Sequence, residues 1–181
     1  MAIFARKIWK KGSIRWFVDM ILVMVGTHNQ PFDRLIKAVD DLVAKHTIKG
    51  EVLIQVGYSK TVPKYAKWFK FVDYDKMMEL MRESKIIITH AGIGSTLLSI
   101  RMRKPTIVVP RLKKLNEHTD NHQIEITKEL AKQNKIIPVY NISTLKDAIK
   151  TARRFKPKIE PKLCIIEGTV KSFLDSLRPG V

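Results

Sequence analysis

The sequence predicts an α/β fold: a Rossmann-like parallel sheet with helices on both faces. Short apolar runs rich in Ile and Val alternate along the chain with longer segments whose apolar residues recur at helical spacing. Strands of a parallel sheet are buried on both faces, so they read as such continuous apolar runs. Regular alternation of strands and helices along the chain is typical of a parallel sheet covered by helices. The chain has 181 residues, 45% of them hydrophobic, which is enough for one domain with a substantial core.

The first half of the alternation contains the clearest helical pattern. In FDRLIKAVDDLVAK, the apolar side chains recur at i, i+3, i+4 and i+7. The neighbouring runs ILVMV, EVLIQV and KIIIT are typical of buried strands. In chain order we predict a strand at 21–25, a helix at 32–45, strands at 51–56 and 68–72, a helix at 75–84 and a strand at 85–89.

The second half continues the same alternation. We predict a helix at 95–102, a strand at 105–110, a helix at 119–133, a strand at 135–140 and a helix at 143–154. The stretch KPKIEPK is typical of a linker, and a short helix is predicted at about 166–177. The predicted organisation is therefore an extension at 1–19, a domain at 20–155, and a linker with a C-terminal helix at 156–181.

The charge balance favours anionic partners. Lys and Arg number 34 against 17 Asp and Glu, a formal net charge of +17. Nucleic acid is not the predicted partner, because no aromatic-rich RNA-binding motif accompanies the charge. Apolar runs are too short to span a membrane, and the single cysteine excludes an internal disulfide.

The first nineteen residues differ in composition from the rest. They combine five basic residues with aromatic residues that include Trp9, Trp16 and Phe17. Such a mixture is typical of a segment lying on an anionic membrane surface. The helical wheel is not cleanly amphipathic, so an extension that packs loosely on the domain is the alternative.

The stretch THAGIGST lies where a predicted strand turns into a helix. Glycines at 92 and 94 let a ligand approach the main chain, and the N–H groups at a helix start attract anions. Gly92, Gly94, Ser95 and Thr96 are therefore candidates for binding phosphate. The alternative is that the glycines serve only to make the turn.

Two further loops follow strand ends, where ligands of parallel sheets bind. After the first strand come Gly26, Thr27 and His28, the histidine being either a general base or a solvated loop residue. After strand 105–110 lies a dense polar segment with Arg111, Glu117, His118, Asp120, Asn121, His122 and Gln123. His118 and His122 at i, i+4 lack a third ligand, so we predict no metal.

Taken together, these motifs resemble a known family. VGTHNQPF, QVGYS, THAGIGS, RKPTIVVPR and NEHTDNHQ occur in the order typical of glycosyltransferase family 28 C-terminal domains. The resemblance covers about 20–154 and is strongest to the group that includes donor-binding subunits of two-part dolichol-linked GlcNAc transferases, with bacterial and archaeal exopolysaccharide relatives. It implies one half of a GT-B glycosyltransferase.

The resemblance also implies roles for individual residues. The donor diphosphate is expected at Gly26, Thr27, Gly92, Gly94, Ser95, Thr96 and Arg111. The nucleoside is expected at Phe71, Val72 and Tyr74, and the donor sugar at Glu117, His118, Asp120, Asn121, His122 and Gln123. The catalytic base is expected to be His28 or a residue of the partner. Neither a metal nor a cofactor is expected.

One position departs from the family pattern. Relatives carry a glutamate that takes both ribose hydroxyls where this chain has Leu98, so Ser99 or a backbone group would have to substitute. The resemblance implies a UDP-sugar transferase subunit, with UDP-GlcNAc the expected donor. It is expected to act on a lipid-linked acceptor beside a membrane-anchored acceptor-binding subunit, at the cytoplasmic face of the membrane. A non-catalytic enhancer subunit is the alternative that Leu98 favours.

Overall fold

The structure, a computed structural model, describes residues 19–158 and contains one six-stranded parallel sheet. The strands are β1 (Ile21–Met24), β2 (Val52–Gln55), β3 (Lys67–Phe69), β4 (Ile86–Thr89), β5 (Thr106–Val108) and β6 (Ile137–Pro138). The helices are α1 (Asp33–Ala44), α2 (Tyr74–Glu83), α3 (Ile93–Arg101), α4 (His122–Lys132) and α5 (Leu145–Ala152). The predicted extension, apart from Asp19, and the predicted helix at 166–177 lie outside the described residues.

Helices cover both faces of the sheet, which confirms the predicted fold class. On one face Ile21 and Val23 of β1 belong to a core cluster shared with α1 and α5. On the other face Leu22 and Met24 pack with Leu80 and Met81 of α2. Successive residues of a strand point to opposite faces, so β1 contributes to two cores at once. This double burial explains its uninterrupted apolar sequence.

The strand order is β3-β2-β1-β4-β5-β6, with every neighbouring pair parallel. Chain connections run outward in one direction from β1 and in the other from β4. At such a reversal point the loops after the two central strands diverge and leave a crevice between them. The loops that follow β1 and β4 therefore border this crevice, and both were singled out from the sequence by their glycines.

Most predicted elements are shorter in the structure, as three examples show. The strand predicted at 68–72 is Lys67–Phe69, and the one at 135–140 is Ile137–Pro138. Pro138 has no N–H to extend the ladder of hydrogen bonds. The helix predicted at 119–133 begins only at His122, because the preceding residues form a 3-10 turn at Lys113–Leu115 and a loop with Asn116 at φ +55°.

The long connection between β2 and β3 is held against α1 by a buried carboxylate. Asp40 accepts backbone N–H bonds from Lys64, Tyr65 and Ala66 at 2.7–2.9 Å. The loop is thereby fixed even though most of its side chains face solvent. None of the helices in the part of the chain that the structure describes is long and apolar enough to cross a membrane.

Candidate functional site

Two glycine loops face each other across the side chain of His90. A Cβ added to Gly26 or to Gly92 would collide with the His90 imidazole ring. Gly26 also has φ +81°, in the region that favours glycine. Its N–H donates to Gln55 Oε1 at 3.3 Å, which ties the loop to the end of β2. These two glycines are therefore required by packing around His90.

Gly94 is a glycine of a different kind. It lies in the first turn of α3 and is exposed, and apart from its chain neighbours and the backbone of α3 no described atom lies within 4 Å of the place where its Cβ would be. Gly92 is the N-cap of this helix, and no side chain in the described part of the chain caps it. The first N–H groups of a helix have no partner within the helix and carry positive partial charge. Bare backbone donors thus face open space, as an anion site requires.

The hydroxyl groups beside these glycines hold the turn itself. Ser95 Oγ donates to the Gly92 carbonyl at 3.1 Å and lies 3.2 Å from Thr89 Oγ1. Thr96 is fully buried and its hydroxyl donates to the His90 carbonyl at 3.4 Å. Of the residues predicted at the diphosphate, Gly94 is open to a ligand through its backbone, whereas the Thr96 side chain is not.

Arg111 is fully buried and joins three segments of the chain. Its guanidinium donates to the carbonyls of Val25, Gln30 and Glu117 at 2.8–2.9 Å. The ring of Phe32 lies 4.8 Å from the guanidinium carbon. Burial lowers the pKa of Arg111 to about 10, partly offset by Glu117. This placement corrects the prediction that Arg111 contacts the diphosphate directly. The side chain is 1% exposed, and its guanidinium is bound to backbone carbonyls.

Glu117 and Gln123 complete this buried network. Both Glu117 carboxylate oxygens accept from Arg34 on α1, at 2.8 and 2.9 Å. Gln123 Oε1 accepts the Arg111 backbone N–H at 3.0 Å. The prediction that Glu117 contacts the sugar is corrected for the same reason as Arg111, since its carboxylate is 6% exposed and paired. The Gln123 side chain is itself buried, with 4% of its surface exposed.

Three histidines gather beside the two glycine loops. The rings of His28 and His118 are 4.9 Å apart between centroids, and those of His118 and His122 are 4.8 Å apart. Asp120 lies between the last two and contacts both rings. Burial lowers the pKa of His118, with Asp120 acting in the opposite direction. The fold thus brings His28 to the predicted sugar segment, about ninety residues further along the chain. Asn121 is exposed at the start of α4, where its Oδ1 accepts from the Lys113 N–H at 3.2 Å.

The residues predicted at the nucleoside are divided between surface and core. Phe71 and Tyr74 are 39% and 71% exposed, and the ring of Tyr58 lies edge-on to Phe71 at 5.1 Å. Val72 is half-buried against the α2 side of the core. An exposed aromatic pair at the ends of β2 and β3 offers a surface on which a flat base could stack.

The prediction that Ser99 takes over a ribose contact is corrected by its burial. Its hydroxyl is inaccessible, donates to the Thr96 carbonyl at 2.7 Å and accepts from Thr106 Oγ1 at 3.0 Å. Leu98 packs against the core cluster of α2 and the end of β1. The position at which the resemblance implies a ribose-binding carboxylate is therefore an apolar contact of the sheet here.

His90 was not among the predicted site residues. It lies within THAGIGST, two residues before Gly92. A bulky ring so close to a glycine is the sequence signal that could have identified it, because the ring occupies the space that a Cβ at Gly92 would fill. Gln55, Arg34 and Phe32 were also missed, because their partners lie far away in the sequence. All three residues support the loops from the protein interior, so the glycine backbone remains free to face the crevice.

Comparison with known proteins points to one family. The family model described as the glycosyltransferase family 28 C-terminal domain matches residues 20–171. The UDP-N-acetylglucosamine transferase subunit ALG13 of Mus musculus is 34% identical over 123 residues, which is 63% of this chain and 10% of the relative. The chain thus corresponds to about a tenth of that curated relative.

Solved structures resemble the fold. An NMR solution structure of ALG13 superposes with a TM-score of 0.57 at 18% identity, covering 88% of this chain and 96% of that one. The calicheamicin glycosyltransferase CalG4 gives a TM-score of 0.54 at 10% identity, covering 88% of this chain and 39% of that one. The described domain therefore has the fold of one half of a GT-B glycosyltransferase.

Replacing Arg111 should loosen the whole site. We expect Arg111→Met to lower the free energy of unfolding by about 3 kcal/mol, because three buried carbonyls lose their donor and the Glu117 carboxylate loses a nearby positive charge. Arg111→Lys should recover only part of this, since one ammonium group cannot reproduce the planar fork. Urea unfolding measures the loss, with exposed Arg154→Met as the matched control. Equal losses at both positions would contradict the structural role of Arg111.

His90 should make stability depend on pH. Burial, together with Arg111, lowers the pKa of His90 to about 4 from an ordinary value of 6.5. Its neutral form is favoured by folding, so this contribution is complete above pH 6.5 and is lost as pH falls from 6.5 toward 4. Between pH 7 and 4.5 the chain should lose about 2 kcal/mol more stability than His90→Gln. Parallel pH profiles from urea unfolding would contradict this prediction.

Proposed function

Because the chain belongs to the glycosyltransferase family 28 C-terminal domain family, we propose that it is the donor-binding half of a UDP-sugar transferase. The proposed donor is UDP-GlcNAc, in keeping with the mouse relative, which is named as a UDP-N-acetylglucosamine transferase subunit. The proposed acceptor is lipid-linked and is bound by a separate membrane-associated subunit. The observation that carries the proposal is the uncapped start of α3, with Gly94 open to solvent, at the reversal point of the sheet.

The geometry suits a nucleoside diphosphate in three ways. Backbone N–H groups at the start of α3 can hold phosphate oxygens without any metal. Gly26 and Thr27 approach from the opposite loop. The Tyr58–Phe71 pair stands at the ends of β2 and β3, where a base can stack. Across the sheet, the aromatic pair lies at β3 and β2 and the glycine loops lie at β1 and β4. The base and the diphosphate are adjacent in the donor in the same way.

The proposed reaction is a displacement at the anomeric carbon of the sugar. The acceptor hydroxyl attacks this carbon, the bond to the UDP oxygen breaks, and UDP leaves with the electron pair. The dipole of α3 stabilises the charge that develops on the leaving diphosphate. The acceptor hydroxyl must lose its proton to a base. His28 is one candidate for this base, and a residue of the acceptor-binding subunit is the other.

A second function, a non-catalytic enhancer subunit, is favoured by one observation. Leu98 packs in the core at the position where relatives carry a ribose-binding carboxylate, and the adjacent Ser99 hydroxyl is buried. Donor affinity would then be weak, and the chain would act by stabilising its partner. Binding of UDP by the chain alone separates this function from the first.

We further propose that the chain lies at the cytoplasmic face of an anionic membrane. Segment 57–72 contains four lysines and no acidic residue. Val62 and Tyr65 in this segment are 51% and 66% exposed. Lysines are depleted in protein–protein interfaces, whereas lysine mixed with exposed aromatic residues favours an anionic lipid surface. The predicted extension at 1–19 would add to this attraction.

Replacing Gly94 tests the donor site. We expect Gly94→Val to weaken UDP binding more than tenfold, because the new side chain would fill the space assigned to the diphosphate. The fold should survive, since that space contains no described atom. Calorimetry with UDP measures the loss. Thr151→Val, at an exposed position of α5, is the control for introducing a valine into a helix. Unchanged UDP affinity of Gly94→Val would remove the start of α3 from the site.

Replacing Gln123 tests the sugar segment. We expect Gln123→Ala to weaken UDP-GlcNAc binding several-fold more than UDP binding, because the amide nitrogen of Gln123 is assigned to the sugar. The ratio of the two affinities separates this effect from loosening of Arg111, which would affect both ligands. Equal loss for UDP and UDP-GlcNAc would assign Gln123 to structure alone.

Reversing two lysines tests the membrane surface. Lys60→Glu with Lys64→Glu should reduce sedimentation with anionic vesicles at least tenfold in affinity, since each basic residue contributes about 1 kcal/mol. The exposed pair Lys128→Glu with Lys146→Glu changes the net charge equally and should have a smaller effect. Neutral vesicles should not bind. If both double variants lose the same affinity, net charge and not segment 57–72 governs attachment.

A further inference from the structure

His118, Asp120 and His122 form a compact group of nitrogen and oxygen donors beside the crevice. One ligand atom from each lies within 4.8 Å of the others. His118 Nδ1 is 3.3 Å from Asp120 Oδ1, and His122 Nδ1 contacts the same oxygen. Both imidazoles therefore direct the same ring nitrogen toward one carboxylate oxygen. Among the described residues this is the group whose donor set could hold a metal ion.

The spacing of these atoms suits a tetrahedral ion. Zn²⁺ binds histidine nitrogen and carboxylate oxygen at about 2.0–2.2 Å. Ligand atoms at the corners of such a tetrahedron are about 3.3–3.6 Å apart. The distance from His118 Nδ1 to Asp120 Oδ1 falls in this range. His122 Nδ1 and Asp120 Oδ1 lie closer together than two ligands of one ion, so one of these side chains must rotate away from the other, and their exposure of 35% and 52% leaves room for this.

The sequence predicts no metal because His118 and His122 lack a third ligand. In a helix at 119–133, as the sequence predicts, Asp120 and His122 are two residues apart and would lie on opposite sides. In the structure α4 begins only at His122, so the residues before it form a loop. In that loop Asp120 Oδ1 accepts the His122 backbone N–H at 3.1 Å and turns between the two rings. The loop supplies the ligand that helical geometry would have withheld.

The neighbouring ring of His28 supports the arrangement. It packs against His118 at 4.9 Å between centroids, and its Nδ1 accepts the Gln30 backbone N–H at 3.2 Å. A ring that is itself oriented by the backbone restricts rotation of His118. Residues that orient a ligand strengthen metal binding in known sites.

We propose that His118, Asp120 and His122 bind one divalent transition-metal ion of the zinc class, with water at the fourth position. Imidazole ligands favour Zn²⁺ and its neighbours over Mg²⁺ and Ca²⁺, which prefer oxygen. Three protein ligands with an open position are typical of ions that exchange a bound water for another group. The same three residues are predicted at the donor sugar, so the ion is titrated without nucleotide, which keeps its binding separate from that of the donor.

The test is calorimetric titration of the untagged full chain with Zn²⁺, alongside visible absorption with Co²⁺ as a spectroscopic probe. We expect one ion per chain and the intense absorption of four-coordinate Co²⁺. The variants His118→Asn, Asp120→Asn and His122→Asn should each weaken Zn²⁺ binding at least tenfold. Chelation with EDTA should remove the ion and the absorption.

His46→Asn is the matched control. His46 is exposed on the loop after α1 at φ +50°, a conformation that asparagine tolerates. Zn²⁺ binding should be unchanged in this variant. Absence of stoichiometric Zn²⁺ binding, or equal weakening by His46→Asn and His118→Asn, would overturn the proposal. Melting curves of the variants without metal show whether each remains folded, and Asp120→Asn, on an exposed side chain, is the variant least coupled to folding.

Discussion

The buried guanidinium of Arg111 is the interaction on which the geometry of the site depends. It donates to carbonyls of the loop after β1 and of the loop after β5. Its charge is compensated by Glu117, which is held in turn by Arg34 on α1. Two loops about eighty residues apart are thus fixed to each other and to a helix. All of these donors are paired within the protein except Arg111 Nε, which has no partner among the described residues. The crevice is therefore formed before a ligand arrives, and less ordering is needed on binding.

The glycines around the crevice serve two different purposes. Gly26 and Gly92 make room for the ring of His90, whereas Gly94 borders empty space at the start of α3. The sequence left packing and ligand access as alternatives for the glycines of THAGIGST. In the structure Gly92 serves packing and Gly94 leaves access for a ligand. His90 is the spacer between the two loops, and its burial keeps the imidazole neutral near pH 7. The charge of His90 therefore does not change with pH in the physiological range.

Fold class, strand positions and the loops of the crevice could be predicted from the sequence. Apolar runs such as ILVMV and KIIIT reflect local burial, and glycines at strand ends reflect local turn geometry. The roles of Arg111, Glu117 and Ser99 could not be predicted, because each depends on partners brought together only by the fold. A polar residue near a strand end can face a ligand or support a loop, and burial decides between them. The same limit applies to Asp120, whose position between two histidines depends on where α4 begins.

The central claim is that the backbone at the start of α3 and the facing Gly26 loop bind the diphosphate of a nucleotide donor. The most direct measurement is a ¹H–¹⁵N NMR titration of the labelled chain with UDP, which reports each backbone amide separately. We expect the largest chemical-shift changes at residues 92–96, Gly26 and Thr27. Residues 46–50, which lie at the amino-terminal ends of the strands, should be unaffected. Changes centred elsewhere, or no change at 92–96 at saturating UDP, would contradict it.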